Sequence, residues 1–164
     1  VNVDANPDTR PQVVARAEHL PMFDDASVDE IEACHLFEHF CHHEEMAALR
    51  EWSRVLKPGG TLSLELPNLE RCIRTIGQVT DKKGVDLGLC GIFGYPPAIE
   101  TDGVFQVHKW GWTPQTLSDA LEQAGFTGVR EEPVTQTWRP ATRIARDMRV
   151  VASKPAIGSI ARAA

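Results

Sequence analysis

An α/β domain built on a largely parallel sheet is the fold this chain predicts, and three observations carry that prediction. Residues 44–56 set Met46, Leu49, Trp52 and Leu56 near helical spacing, with Glu45, Arg50, Glu51 and Arg54 mostly on other faces. Residues 61–66 alternate with period two, the signature of a strand, and stop at Pro67. Between residues 113 and 125 a second helix is bounded by Thr113 as cap, Pro114 in the first turn and Gly125 at the end. Strands and helices that alternate along a chain pack as a sheet with helices on its faces, and 164 residues suit a single domain.

Taken in order, Val1 to Asp4 is a short apolar piece running into the turn chemistry of Ala5-Asn6-Pro7-Asp8, which predicts a strand that ends at an acid. Val13-Val14-Ala15 predicts a second short strand. Asp24-Asp25-Ala26-Ser27 makes a turn before residues 28–34, a third strand. The helix over 44–56 is terminated by Lys57-Pro58-Gly59-Gly60, where Pro disfavours helical angles in the residue before it and the glycines supply a turn. Residues 126–130 and 148–153 read as later strands. Residues 1–155 are expected to form the domain, with 69–112 inserted as a cover and the small-residue stretch 156–164 as a frayed tail.

Composition narrows the partners. Seventeen basic and 23 acidic side chains give a net charge of −6, so neither nucleic acid nor an anionic membrane is the expected partner, because binding phosphates needs a surplus of Lys and Arg. No apolar run approaches the roughly 20 residues needed to cross a bilayer, and a cytoplasmic setting is expected. Cys34, Cys41, Cys72 and Cys90 form no CxxC pair and predict reduced thiols.

In an open α/β sheet, ligands sit beyond the carboxyl ends of the strands, which directs attention to Asp4, residues 16–18, His35 and Asn68. A carboxylate at such an end can accept two hydrogen bonds from a ribose diol, and Asp4 is placed for that. Its alternative is a turn residue binding its own backbone two positions on.

The order of segments then becomes recognisable. Residues 20–31 (LPMFDDASVDEI), 35–40 (HLFEHF) and 49–60 (LREWSRVLKPGG) together resemble the class I S-adenosylmethionine-dependent methyltransferases. That resemblance implies a Rossmann-like, mostly parallel sheet with an antiparallel C-terminal strand, S-adenosylmethionine as cofactor, and methyl transfer to a small-molecule or saccharide-like acceptor. It further implies Asp4 as the ribose-binding acid, Ala17 and Glu18 near the adenine, and His35 with Leu36 beside the methionine end of the cofactor. One departure is Arg16, which stands where the family commonly has an acid.

The family's first strand and Gly-rich loop are not among these residues. Three outcomes follow as expectations: an upstream segment supplies them, the sheet rearranges so that the family's second and fourth strands meet, or a second copy of the chain completes the sheet. The rival to an enzyme is a degenerate methyltransferase-fold module used for dimerisation or ligand binding.

Within the cover, Tyr95 and Trp110 are expected to contact the acceptor and His108 to remove its proton. His35, Glu38, His39, His42, His43 and Glu44 crowd together, yet the stretch is not HExxH and coincides with the family's Glu-His pair, so no functional metal is expected. Arg139, Arg143, Arg146 and Arg149 recur at spacings of four, three and three. A solvated face is their ordinary meaning, and residues 148–153 read as a strand, so a wholly helical basic stripe is not expected.

Overall fold

A computed structural model describes residues 1–136 and 141–156. The apolar stripe of residues 44–56 forms α1 (Glu45–Val55), which buries Ala48, Leu49, Trp52 and Val55. Its last residue runs straight into β4 (Leu56–Pro67) with no intervening loop. The Lys-Pro-Gly-Gly segment is therefore not a turn between elements but a bulge inside a strand. Between two points of contact, β3 (Val28–Cys34) advances from Val28 to Glu30 while β4 advances from Leu56 to Thr61. Gly59 takes φ +81°, and a Cβ on Gly60 would lie 2.8 Å from the Lys57 carbonyl and 3.0 Å from that of Asp29. Both glycines are thus demanded by the bulge.

The main sheet has the order β3-β4-β6-β5, where β5 is Thr127–Glu132 and β6 is Asp147–Ser153. β3 pairs with β4 in parallel, and β6 is antiparallel to both β4 and β5. Three strands therefore share one direction and the C-terminal strand opposes them, as the sequence predicted. The alternation of residues 61–66 does not mean one wet face. Leu62, Leu64 and Leu66 are fully buried and so are Ser63 and Glu65, because β4 is central and covered on both sides. Glu65 is satisfied there by the backbone N–H groups of Thr135 (2.8 Å) and Gln136 (3.3 Å) and by the Thr135 hydroxyl (2.9 Å).

The helix α5 (Pro114–Gln123) begins as predicted: Thr113 and Thr116 form a reciprocal capping box, and Gly125 follows the helix at φ +89°. Leu117, Ala120 and Leu121 join Trp52, Phe37 and Trp112 in the core. The Phe37 ring lies 5.0 Å from Trp112 and 5.7 Å from Trp52.

β1 (Val3–Asp4) and β2 (Val13–Val14) form a separate parallel pair. Among the described residues β1 pairs only with β2 and β3 only with β4, so, of the three outcomes expected, the direct meeting of β1 with β3 does not occur. A groove of about 270 Å³, lined by Val3, Leu20, Val28, Ile31 and Ala33, separates them. Side chains of α1 instead fasten the segment that follows β2. The Trp52 indole N–H donates to the Ala17 carbonyl at 2.8 Å, and Arg54 donates to the carbonyls of Leu20 and Phe23, each at 3.0 Å.

The cover contains helices that the sequence reading left unassigned: α2 (Leu69–Thr75), α3 (Leu87–Phe93) and α4 (Pro96–Asp102). Gly88 and Gly91 are contact points. A side chain on either would run into the backbone or thiol of Cys72, which locks α3 against α2. A short α6 (Ala141–Ile144) carries Arg143, whereas Arg146 follows it and is buried and Arg149 lies in β6. The arginine spacing is accordingly not one helical stripe. Arg139 and residues 157–164 lie outside the described residues. No helix among the described residues is long and apolar enough to cross a membrane.

Candidate active site

A cavity of about 610 Å³ opens beyond the carboxyl ends of β1, β2 and β3 and beneath the cover. Asp4, Ala17, Glu18, His35, Leu36, Tyr95 and His108 all lie on its wall. Trp110 does not. It is 41% exposed and stacks on His42, ring centroids 4.7 Å apart. Asp4 is half-buried, and its Oδ1 accepts the Asn6 N–H at 2.8 Å, so the turn role and the cavity position coexist. Arg16 pairs with Glu18 and, at 3.1 Å, with Glu44, which ties the loop after β2 to the start of α1.

The inner wall is of a different kind. His35, immediately after β3, adopts φ +49°, a conformation that a residue with a side chain rarely takes. That backbone sets its ring between two buried carboxylates, Nδ1 3.1 Å from Glu38 Oε1 and Nε2 3.4 Å from Asp147 Oδ2. Burial disfavours the charged ring, but bonding to Asp147 and Glu38 outweighs it and carries the His35 pKa up to about 9. Glu38 is buried too, which alone would raise its pKa; the His35 partner prevails and holds it down at about 2. Asp147 also faces Arg146, with Nε 3.3 Å from Oδ1, and Arg146 Nη1 donates to the Leu87 carbonyl at 2.6 Å. Two buried cations thus face two buried anions, the arrangement in which such burial is tolerable.

His108 enters from the cover. Its Nδ1 lies 3.0 Å from the Gly91 carbonyl. A carbonyl only accepts, so Nδ1 carries the proton and Nε2 holds a lone pair in the neutral ring. Burial pushes the His108 pKa below its usual value, which favours that neutral form. The segment is strapped to Glu38 by the Lys109 N–H at 2.8 Å and the Trp110 N–H at 3.2 Å, both donating to the Glu38 carbonyl.

Sequence reasoning did not foresee Arg146, which lines the cavity, or Asp147, which is buried behind His35; both arrive only through the antiparallel return of the chain at β6. It also did not foresee that His39 would pack directly against His108, their rings edge to face at 4.9 Å.

Comparison with known proteins bears on the fold. Residues 2–64 match the family model described as a methyltransferase domain, and this stretch contains every segment that carried the resemblance. A SAM-dependent methyltransferase from Archaeoglobus fulgidus has a similar structure, with 19% identity, a TM-score of 0.58, and coverage of 93% of this chain and 74% of that one. So does 1,6-didemethyltoxoflavin-N1-methyltransferase from Burkholderia thailandensis, solved with bound 1,6-didemethyltoxoflavin and S-adenosylhomocysteine (15%, 0.57, 93% and 60%). A complex between the Haloferax volcanii Trm112 activator and a methyltransferase is also similar (17%, 0.59, 93% and 70%). The chain therefore spans 60 to 74% of the length of these relatives. No curated protein matches the sequence. The chain has the class I methyltransferase fold, and its residues 2–64 match the methyltransferase-domain model.

Proposed function

We propose that the chain is an S-adenosylmethionine-dependent methyltransferase acting on a small-molecule or saccharide-like acceptor. The observation that carries the reading is the cavity at the strand ends, which Asp4, Ala17, Glu18, His35, Leu36 and His108 line together. When bound, S-adenosylmethionine supplies a methyl group already activated by its sulfonium. The protein's task is then to align an acceptor with it and remove one proton.

Asp4 keeps Oδ2 available for a ribose hydroxyl while Oδ1 holds the turn. The His35 cation, fixed between Glu38 and Asp147, presents positive charge near the region where the cofactor's carboxylate is expected. His108 Nε2 is the lone pair positioned to receive the acceptor's proton, while Tyr95 shapes the acceptor end, its hydroxyl anchored on Asp81 at 2.6 Å. A cytoplasmic setting fits the free thiols of Cys41, Cys72 and Cys90.

Calorimetric titration with S-adenosylhomocysteine checks this reading. Saturable binding is expected, and a His108→Gln variant should bind it unchanged while kcat on a hydroxylated acceptor falls by about 10²-fold or more. Absence of any saturable heat at about millimolar ligand, the weak end of specific binding, would favour a non-catalytic module instead.

A further inference from the structure

We infer that the inner edge of the cavity, where His39 and His108 line it and the buried Glu38 lies behind them, is a binding site for a divalent d-block cation, zinc above all, held by the Glu38 carboxylate and by Nε2 of His39 and of His108. One potential ligand atom from each of the three residues lies within 4.8 Å of the others. His108 Nε2 already stands 3.9 Å from Glu38 Oε1. Metal–ligand distances of about 2.1 Å in a tetrahedron separate ligand atoms by about 3.4 Å, so closure needs side-chain adjustment and no change of fold.

Three independent features point to a cation rather than to a chance cluster. Both imidazoles are braced in the same sense: Nδ1 of His39 donates to the Val107 carbonyl at 3.0 Å and Nδ1 of His108 to the Gly91 carbonyl at 3.0 Å. A backbone carbonyl behind a histidine fixes the tautomer that leaves Nε2 free to ligate, the usual support for a metal-bound ring. Next, Glu38 is only 2% exposed, and its Oε2 is buried with no hydrogen-bond partner among the described residues. A buried, unpartnered carboxylate oxygen is costly unless something unseen binds it. Finally, Glu38 and His39 come from the 3₁₀ turn Phe37–His39 while His108 arrives from the cover, and backbone hydrogen bonds hold the two segments together. Two nitrogens and one carboxylate, with the cavity on the remaining side, make the donor set of a site that keeps a position open for a substrate oxygen.

The inference rests on the methyltransferase reading for its purpose and deepens it. A hydroxyl bound to such a cation would lose its proton near neutral pH; with the cation in place His108 Nε2 is a ligand and no longer the base, and the acceptor's proton would pass to solvent. The methyl carbon then bonds to that oxygen as its bond to sulfur breaks, leaving S-adenosylhomocysteine.

The test uses the full chain freed of metal by chelator and titrated with Zn²⁺, with Co²⁺ as a spectroscopic probe. One equivalent should bind, and Co²⁺ should show the intense visible bands of a low-coordinate N/O site. Glu38→Gln, His39→Gln and His108→Gln should each weaken Zn²⁺ binding at least about tenfold, with folding checked by circular dichroism. A His42→Ala/His43→Ala double variant, which removes the two exposed histidines nearby, should bind as the parent does. Absence of stoichiometric binding overturns the inference, as does binding that survives the three substitutions or vanishes in the double variant. Titration of the chelator-treated chain with S-adenosylhomocysteine separates the two readings: binding there keeps the cofactor assignment standing even where the metal fails.

Discussion

The two walls of the cavity are built on opposite principles. The outer wall, at the ends of β1 and β2, is made of turns, backbone bonds and solvent-facing ion pairs such as Arg16 with Glu44, whose arginine side chain is 63% exposed. The inner wall is made of buried charges drawn from β3, the 3₁₀ turn behind it, the cover and the start of β6. Exposed pairs contribute little because water competes for both partners. Buried pairs sit in a medium where an unmatched charge is costly, so each member depends on the others. The outer wall can therefore be altered one residue at a time, and the inner wall cannot.

Asp147→Asn should give the largest effect of any change that separates the walls. Asp147 is 1% exposed and faces both His35 and Arg146. Removing its charge leaves two buried cations facing one anion, which should cost about 3–5 kcal/mol of unfolding free energy in urea titration. A loss below about 1 kcal/mol, the range of exposed pairs, would show the inner wall to be solvated and the contrast void.

The outer wall was also the legible one. Its acids and turns are contiguous in sequence, and Asn-Pro or Asp-Asp beside short apolar runs declare strand ends directly. α1 and α5 were legible because period and caps agree. The Lys-Pro-Gly-Gly bulge reads as a turn in the sequence because glycine and proline signal a change of direction without saying whether the pairing resumes. The inner wall was only half visible. His35, Glu38 and His39 are close in sequence, but their partners His108 and Asp147 come from about 70 and about 110 positions away, and no local spacing encodes such a meeting. α2 and α3 escaped notice because their contact depends on the absence of side chains at Gly88 and Gly91, not on an apolar stripe.

On the outer wall, Asp4→Ala should weaken S-adenosylhomocysteine binding by about 1–3 kcal/mol, the worth of hydrogen bonds to a charged acceptor. Urea denaturation should register a smaller loss, since only the bond to the Asn6 N–H is given up within the fold. Unchanged affinity would remove Asp4 from the cofactor's site and leave it as a turn residue. A stability loss larger than the binding loss would mean that the outer wall, too, is an interdependent unit.

The smallest effect sharpens the comparison through pH. Glu51 on α1 holds the loop of the outer wall: it bonds Arg54 at 2.8 Å and accepts the Leu20 N–H at 2.7 Å. The Arg54 partner keeps its carboxyl down at about 2, against an ordinary value of 4.5. Because the folded value is depressed, the unfolded chain binds more protons between these limits. The stabilisation is therefore complete above about 4.5 and fades as pH falls toward 2. Glu51→Gln should cost less than about 1 kcal/mol at neutral pH, as a solvent-accessible pair does. Measured by urea denaturation down the acid limb, the gap between parent and variant should narrow as Glu51 protonates. A gap that stays constant would assign the Glu51 contribution to shape rather than charge, and would take from the outer wall the electrostatic softness that distinguishes it from the inner one.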